Sequence, residues 1–207
     1  MISLFAVTWS ADAPTLDRDG LDVLADGDLA MIVGPTSSTT SREDALAFGR
    51  VVERFASAVD VLPFRYGTTA ADTESARELL REHESSWAAR LLQVEGCSEL
   101  AIRAVRPESD EHPAASGAEH LDRLVSRSRQ LDIAEQEIGR LLTGRCRVVR
   151  RLAGHQELRL SCLVERHQVE LLRLVVEEWA ATQTELEVSV TGPWAPYSFV
   201  ANNEEAG

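Results

Sequence analysis

At 207 residues the chain can form one large domain or two small ones, and 44% hydrophobic with 27% charged content supports a core that needs no covalent or metal staple. A net charge of −13 argues against nucleic acid and anionic lipid membranes as partners. Cys97, Cys146 and Cys162 are widely spaced and contain no C-x-x-C pair, and the start Met1-Ile2-Ser3-Leu4 lacks a signal peptide's basic and apolar regions. No run is long enough to span a bilayer, so the expectation is a cytoplasmic protein with reduced thiols.

In chain order, Ile2 to Trp9 is rich in strand formers and reads as a core strand. Ser10 to Gly20, with Asp12, Pro14, Asp17 and Asp19, reads as a polar loop. Asp26-Gly27 between two apolar runs, Leu21–Ala25 and Leu29–Val33, signals a hairpin. Thr40 and Glu43 then have the spacing of a capping box, with Ser41/Asp44 as an alternative register. It opens a helix whose buried stripe is Phe48, Val51, Val52, Phe55 and Val59.

The next stretch, Val61-Leu62-Pro63-Phe64-Arg65-Tyr66-Gly67-Thr68, must carry the chain from one helix to the next. Pro63 cannot donate to a ladder, which places the segment at a sheet edge or strand start, and Gly67 allows positive φ. Arg65 is a cation in an apolar run, so it is expected to be buried and held by a carboxylate or by backbone carbonyls. Asp72 then caps a helix with the stripe Ala76, Leu79, Leu80, His83, Trp87, Leu91 and Val94, and Gly96 stops it. His83 is read as a satisfied histidine at the core edge.

Leu100, Ile102 and Ala104 alternate as in a half-buried strand. Pro107–Gly117 is loop-like, and a helix follows with Leu121, Leu124, Val125, Ser128, Leu131, Ala134, Ile138, Leu141 and Leu142 on one side, ended by Gly144. Two strands, Cys146–Leu152 and Leu158–Val164, a helix marked by Val169, Leu172, Val175, Val176 and Trp179, and a strand over Leu186–Val190 complete the pattern. The expected fold class is α+β in two domains: an N-terminal α+β unit over 1–95 and a ferredoxin-like βαββαβ domain over 96–191. Residues 192–207 are expected to form a Pro/aromatic tail and a solvated acidic end.

That tail, Thr191-Gly192-Pro193-Trp194-Ala195-Pro196-Tyr197-Ser198-Phe199-Val200, concentrates aromatics and prolines, and the prolines favour an extended, polyproline-like path. Either it straps back onto its own core or it forms a docking surface. Under the strap reading Trp194, Tyr197 and Phe199 pack across the junction of the two halves, near Leu62–Thr68.

Chemistry-bearing motifs do not emerge. There is no phosphate-binding glycine loop, nucleophile elbow or H-E-x-x-H, and His112, His120, His155 and His167 show no metal-ligand spacing with the cysteines. No catalytic residue, cofactor or metal is therefore expected. All 21 basic residues are arginine, and the one basic cluster is Arg140, Arg145, Arg147, Arg150 and Arg151. Without interleaved aromatics it reads as a solvated face or a patch for an acidic protein partner.

Three stretches in order resemble the gas vesicle protein family called L/F. Asp28–Val33 is similar to the family's hairpin strand. Leu62-Pro63-Phe64-Arg65-Tyr66-Gly67-Thr68 looks like its L-P-hydrophobic-R-F-G-T signature, with Tyr66 in the usual Phe position. Thr191–Val200 is similar to a terminal T-G-P-W-P-P-Y-S-F-V, with Ala195 in place of a proline. The helix before the second motif reads Leu46-Ala47-Phe48-Gly49, without the His often found there. The resemblance implies a non-enzymatic accessory protein that contacts the small hydrophobic gas vesicle shell protein and other accessory proteins, and that is associated with gas vesicles. Its candidate structural or partner-binding residues are Leu62, Pro63, Phe64, Arg65, Tyr66, Gly67 and Thr68, with Gly192, Pro193, Trp194, Pro196, Tyr197 and Phe199. The alternative is a ferredoxin-like small-molecule-binding or enzymatic domain pair.

Overall fold

The computed structural model describes residues 1–16, 20–36, 41–107, 117–154 and 157–200. Thr40, His112, His155, the acidic residues Asp17 and Asp19, residues 108–116 of the stretch expected to be loop-like and the acidic end fall outside them, as do the side chains of His120 and Leu124. The architecture is α+β with antiparallel pairing, and the chain divides into two compact units. Unit 1 is Met1–Ser98 joined by the segment from Trp194 onward; unit 2 is Glu99–Pro193.

Unit 1 is built on a five-stranded sheet. Strand β1 (Ile2–Trp9) pairs antiparallel with β3 (Leu29–Pro35), and β3 with β2 (Asp22–Asp26) across the expected Asp26-Gly27 turn. Gly27 has φ +59°, a conformation that a Cβ would strain. Every residue from Leu29 to Gly34 is buried, so β3 is covered on both faces. Helix α1 (Arg42–Ala58) lays Phe48, Val52 and Phe55 against Phe5, Ala6 and Ile32, and Phe5 stacks on Phe48 with centroids 4.7 Å apart. Of the two capping registers, Ser41/Asp44 is present: the Ser41 hydroxyl accepts from the Asp44 N–H at 3.0 Å, and the Asp44 carboxylate accepts from the Ser41 N–H at 3.2 Å.

Helix α2 (Thr73–Val94) packs on β1, β2 and β3 and buries Ala76, Leu80, Leu91 and Val94. Its N-cap is Asp72, which accepts from the Ser75 N–H at 2.9 Å and from its hydroxyl. Those bonds hold the Asp72 carboxyl below its ordinary range. Between the helices, β4 (Leu62–Pro63) and β5 (Thr69–Ala70) both pair with β1.

Unit 2 runs β6 (Cys97–Val105), α3 (Gly117–Leu142), β7 (Val148–Arg151), β8 (Glu157–Glu165), α4 (Val169–Thr182) and β9 (Glu187–Trp194). Its sheet has the order β7-β8-β6-β9. Leu131, Ala134, Ile138 and Leu142 of α3 and Val169, Leu172, Val176 and Trp179 of α4 bury against alternate residues of β6 and β8. A buried polar pair ties the two central strands, with the Ser161 hydroxyl donating to the Glu99 carboxylate at 2.6 Å.

The tail departs from the expected polyproline path. Gly192, Pro193 and Trp194 continue β9, an edge strand on which a proline costs no ladder bond. Pro196 then leads into a single helical turn, α5 (Tyr197–Val200), where the Phe199 N–H donates to the Pro196 carbonyl at 3.0 Å.

Candidate functional site

The most distinctive stretches of the sequence meet in unit 1, around a groove of about 360 Å³. One wall is a face of α2, where His83, Trp87 and Arg90 recur at helical spacing beside the buried Leu80 and Leu91. The second is the end of β4 and the turn after it. Pro63 and Leu62 pair with Ala6 and Val7 of β1, and the Phe64 N–H donates to the Phe5 carbonyl at 2.9 Å. The chain then turns: the Arg65 carbonyl accepts from both the N–H and the hydroxyl of Thr68, at 3.1 and 2.8 Å, and Gly67 takes φ +90°. The third wall is α5, through Tyr197 and Val200.

Aromatic contacts set the floor. Phe64 meets Trp87 edge-on with centroids 5.7 Å apart, and the His83 ring lies 4.9 Å from the Trp87 ring. Arg90 donates through Nη1 to the Val200 carbonyl, so α2 holds the last turn in place. Among the described residues no Asp or Glu lines the groove, although the chain carries 34 of them.

Glu53 of α1 anchors the same returning segment. Its two carboxylate oxygens accept from the Ala195 N–H at 3.1 and 3.0 Å. A proline at this position, as in the motif the tail resembles, has no N–H to give, so this contact depends on Ala195. Burial, and then the charge of Glu53, push the Tyr197 hydroxyl well above its ordinary value.

Among the sequence-derived candidates, Pro63, Phe64, Arg65, Thr68 and Tyr197 line the groove. Leu62, Pro196 and Phe199 are buried, and Gly67 shapes the turn without lining the groove. Tyr66, at the edge of exposure, meets Phe48 with centroids 5.6 Å apart. Gly192 and Pro193 lie in β9 of unit 2, where the Gly192 carbonyl accepts from Arg173 at 2.6 Å.

Two expectations are corrected. Arg65 is exposed, and no carboxylate among the described residues pairs with it. The turn pins its backbone and leaves the guanidinium at the groove, rather than carrying it into the core. Trp194 is 43% exposed, because it ends an edge strand whose residues are exposed or half-buried throughout. Only Ala195, Pro196, Tyr197 and Phe199 pack inward.

His83 and Trp87 were legible as part of a helical stripe but not as groove walls. Both are half-buried where Leu80 and Leu91 are buried, and only the proximity of Phe64 and Tyr197 makes that difference a site.

The arginine cluster of unit 2 is largely matched at home. Arg151 pairs with Glu135 at 2.5 Å, Arg147 approaches Glu165 at 3.8 Å, and Arg145 donates to the Leu141 carbonyl at 2.8 Å. The three cysteines are free; Cys162 donates its proton toward Cys146, which holds the Cys146 thiol below and the Cys162 thiol above the ordinary range. Among the described residues no group of three or more His, Cys, Asp or Glu could hold a metal ion, and no helix is long and apolar enough to cross a membrane.

The profile of a family described as "Gas vesicle synthesis protein GvpL/GvpF" matches residues 4–140 and 118–201. Gas vesicle protein L of Streptomyces sp. (strain CB03234) is 27% identical over 188 residues, covering 78% of this chain and 70% of that protein. Gas vesicle protein F of the same strain is 24% identical over 206 residues, covering 86% and 87%. The fold is similar to the crystal structure of the gas vesicle protein GvpF from Anabaena sp. PCC7120, with a TM-score of 0.78 at 12% identity over 97% of this chain and 96% of that one. The GvpF of Microcystis aeruginosa gives a TM-score of 0.77 at 14% identity over 97% and 99%.

Proposed function

The chain belongs to the gas vesicle synthesis protein GvpL/GvpF family, and on that premise we propose that it is a non-catalytic accessory protein of gas vesicle assembly that binds the small hydrophobic shell protein and other accessory proteins. The observation that carries this reading is the convergence in unit 1 of the two stretches that most resemble the family: Leu62–Thr68 and the segment after Pro193 build walls of one groove. Residues placed for a purely structural purpose would bury; here Arg65 stays exposed and the Phe64 and Trp87 rings are only half-buried. That surface suits a protein partner, since it offers aromatic area beside cations.

The second unit reads as a ferredoxin-like domain. Its βαββαβ order and its strand order β7-β8-β6-β9 support this. The protein is expected to work in the cytoplasm beside the growing vesicle. Its acidic surface suits a carrier that keeps an aggregation-prone partner dispersed.

Co-purification with the shell protein, followed by deletion in a vesicle-forming cell, tests the reading. Shell protein should be retained on the tagged chain, and the deletion strain should lack vesicles until the intact gene is restored. Normal vesicles in the deletion strain would overturn the assignment.

A further inference from the structure

We infer that the groove of unit 1 takes an acidic, apolar segment of a partner polypeptide, with Arg65 receiving its carboxylate; this rests on the reading of the groove as a docking surface. Three features set the ligand's chemistry. The first is charge. Among the described residues the groove is lined by Arg65 and Arg90 and by no carboxylate, in a chain of net charge −13. An island of positive groups on an acidic protein is complementary to a carboxylate and repels a basic ligand.

The second feature is geometry. The backbone of Arg65 is fixed by two hydrogen bonds from Thr68, at 3.1 and 2.8 Å to its carbonyl, and by Pro63 two residues earlier. Its guanidinium is exposed at the rim, unpaired with any carboxylate among the described residues. A planar fork on a pinned backbone fits a carboxylate through two parallel bonds and loses little freedom in doing so. Arg90 contributes charge but is already committed to the Val200 carbonyl, so Arg65 makes the direct contact.

The third feature is the apolar surface. The Phe64 and Trp87 rings meet edge-on and remain half-buried, so part of their aromatic surface stays accessible to an apolar side chain. A bare anion would leave that surface wet. A long polyanion such as single-stranded nucleic acid could stack on the rings but would extend over the acidic remainder of the chain. Charges are screened beyond roughly 8 Å at physiological salt, so a short acidic segment feels chiefly the local cations whereas a polyanion also meets the repulsion.

The test uses a dye-labelled, end-blocked peptide of alternating leucine and glutamate around one phenylalanine, its counterpart with every glutamate replaced by glutamine, and fluorescence anisotropy against the full chain. The glutamate peptide should bind at least about tenfold more tightly than the glutamine peptide. Arg65→Glu should abolish that preference without lowering the melting temperature, and Trp87→Ala should weaken both peptides. Equal binding of the two peptides, an unaltered preference in Arg65→Glu, or tighter binding of a single-stranded oligonucleotide would overturn the inference. The vesicle phenotype separates it from the assembly role. Loss of vesicles on deletion without peptide discrimination removes the inference alone; discrimination with normal vesicles in the deletion strain removes the assembly role alone.

Discussion

Unit 2 draws its core from one uninterrupted stretch of chain, Glu99 to Pro193, whereas unit 1 needs Ala195 and Phe199, which arrive only after that stretch has ended. Their polar anchors show the same contrast. Glu99 and Ser161 are 62 residues apart, while Glu53 and the Ala195 N–H are 142 apart. For flexible loops that difference costs only about 0.7 kcal/mol more in closure entropy. Folding of unit 2 reduces even this, because β9 lies beside β6 in its sheet and the strand leaving unit 1 is brought next to the strand returning to it. The comparison teaches that unit 2 can be complete without unit 1's tail, but unit 1 cannot be complete without the chain beyond unit 2.

The largest test is to end the chain at Pro193. This removes the buried Ala195, Pro196 and Phe199 and the half-buried Tyr197, at a cost of several kcal/mol by apolar area alone, roughly 25 cal/mol per Å². Hydrogen exchange read by peptide should show β1, β3 and α1 losing protection while β8 and α4 keep theirs. Equal loss in both units would erase the contrast. A finer test sets two aromatics of the tail against each other. Phe199→Ala should destabilise the protein by about 3–5 kcal/mol. Trp194→Ala, at a residue that is 43% exposed, should cost about 1 kcal/mol or less. Denaturant midpoints would measure both, and a larger effect at Trp194 would restore the idea that it is part of the strap.

The smallest effect is a pH slope. Tyr197 has its pKa raised in the folded protein above the ordinary 10.0, by burial and then by Glu53. The folded state therefore holds a proton that the unfolded state releases, so this stabilisation is complete below pH 10.0 and is lost as pH rises toward the folded value. Tyr197→Phe should flatten the fall in stability above pH 10.0 and leave stability near neutrality almost unchanged. An identical alkaline slope in the variant would show that Tyr197 is not the group responsible.

Local devices were readable from residue order, because each is settled within a few positions. The Asp26-Gly27 hairpin, the Asp72 cap and the glycine ends at Gly96 and Gly144 stand as expected, and the capping box takes its alternative register, Ser41/Asp44. What residue order concealed depends on where a side chain sits after the chain has turned. Arg65 follows three apolar residues and looked buried, yet the turn closed by Thr68 puts it outside. Trp194 looked like an anchor for its size, but strand position decides exposure, and β9 is an edge. Ala195 looked like a lost proline; its N–H proves to be the group that Glu53 holds. The groove itself was half legible. Two of its walls were singled out as motifs, and the third was hidden in a helical stripe that reads like any core-facing helix.

The late arrival of Tyr197 and Val200 has a consequence for synthesis. A ribosome adding about 5–20 residues per second needs roughly 5–20 s to pass from Glu99 to Pro193. During that interval the strands and helices of unit 1 have already been made, with Phe5, Phe48 and Phe55 awaiting their last neighbours. Unit 2 is complete in sequence before the returning segment is made. The groove is therefore complete only at the end, so a prematurely terminated polypeptide would carry the arginine and the tryptophan without the third wall that completes the receptor.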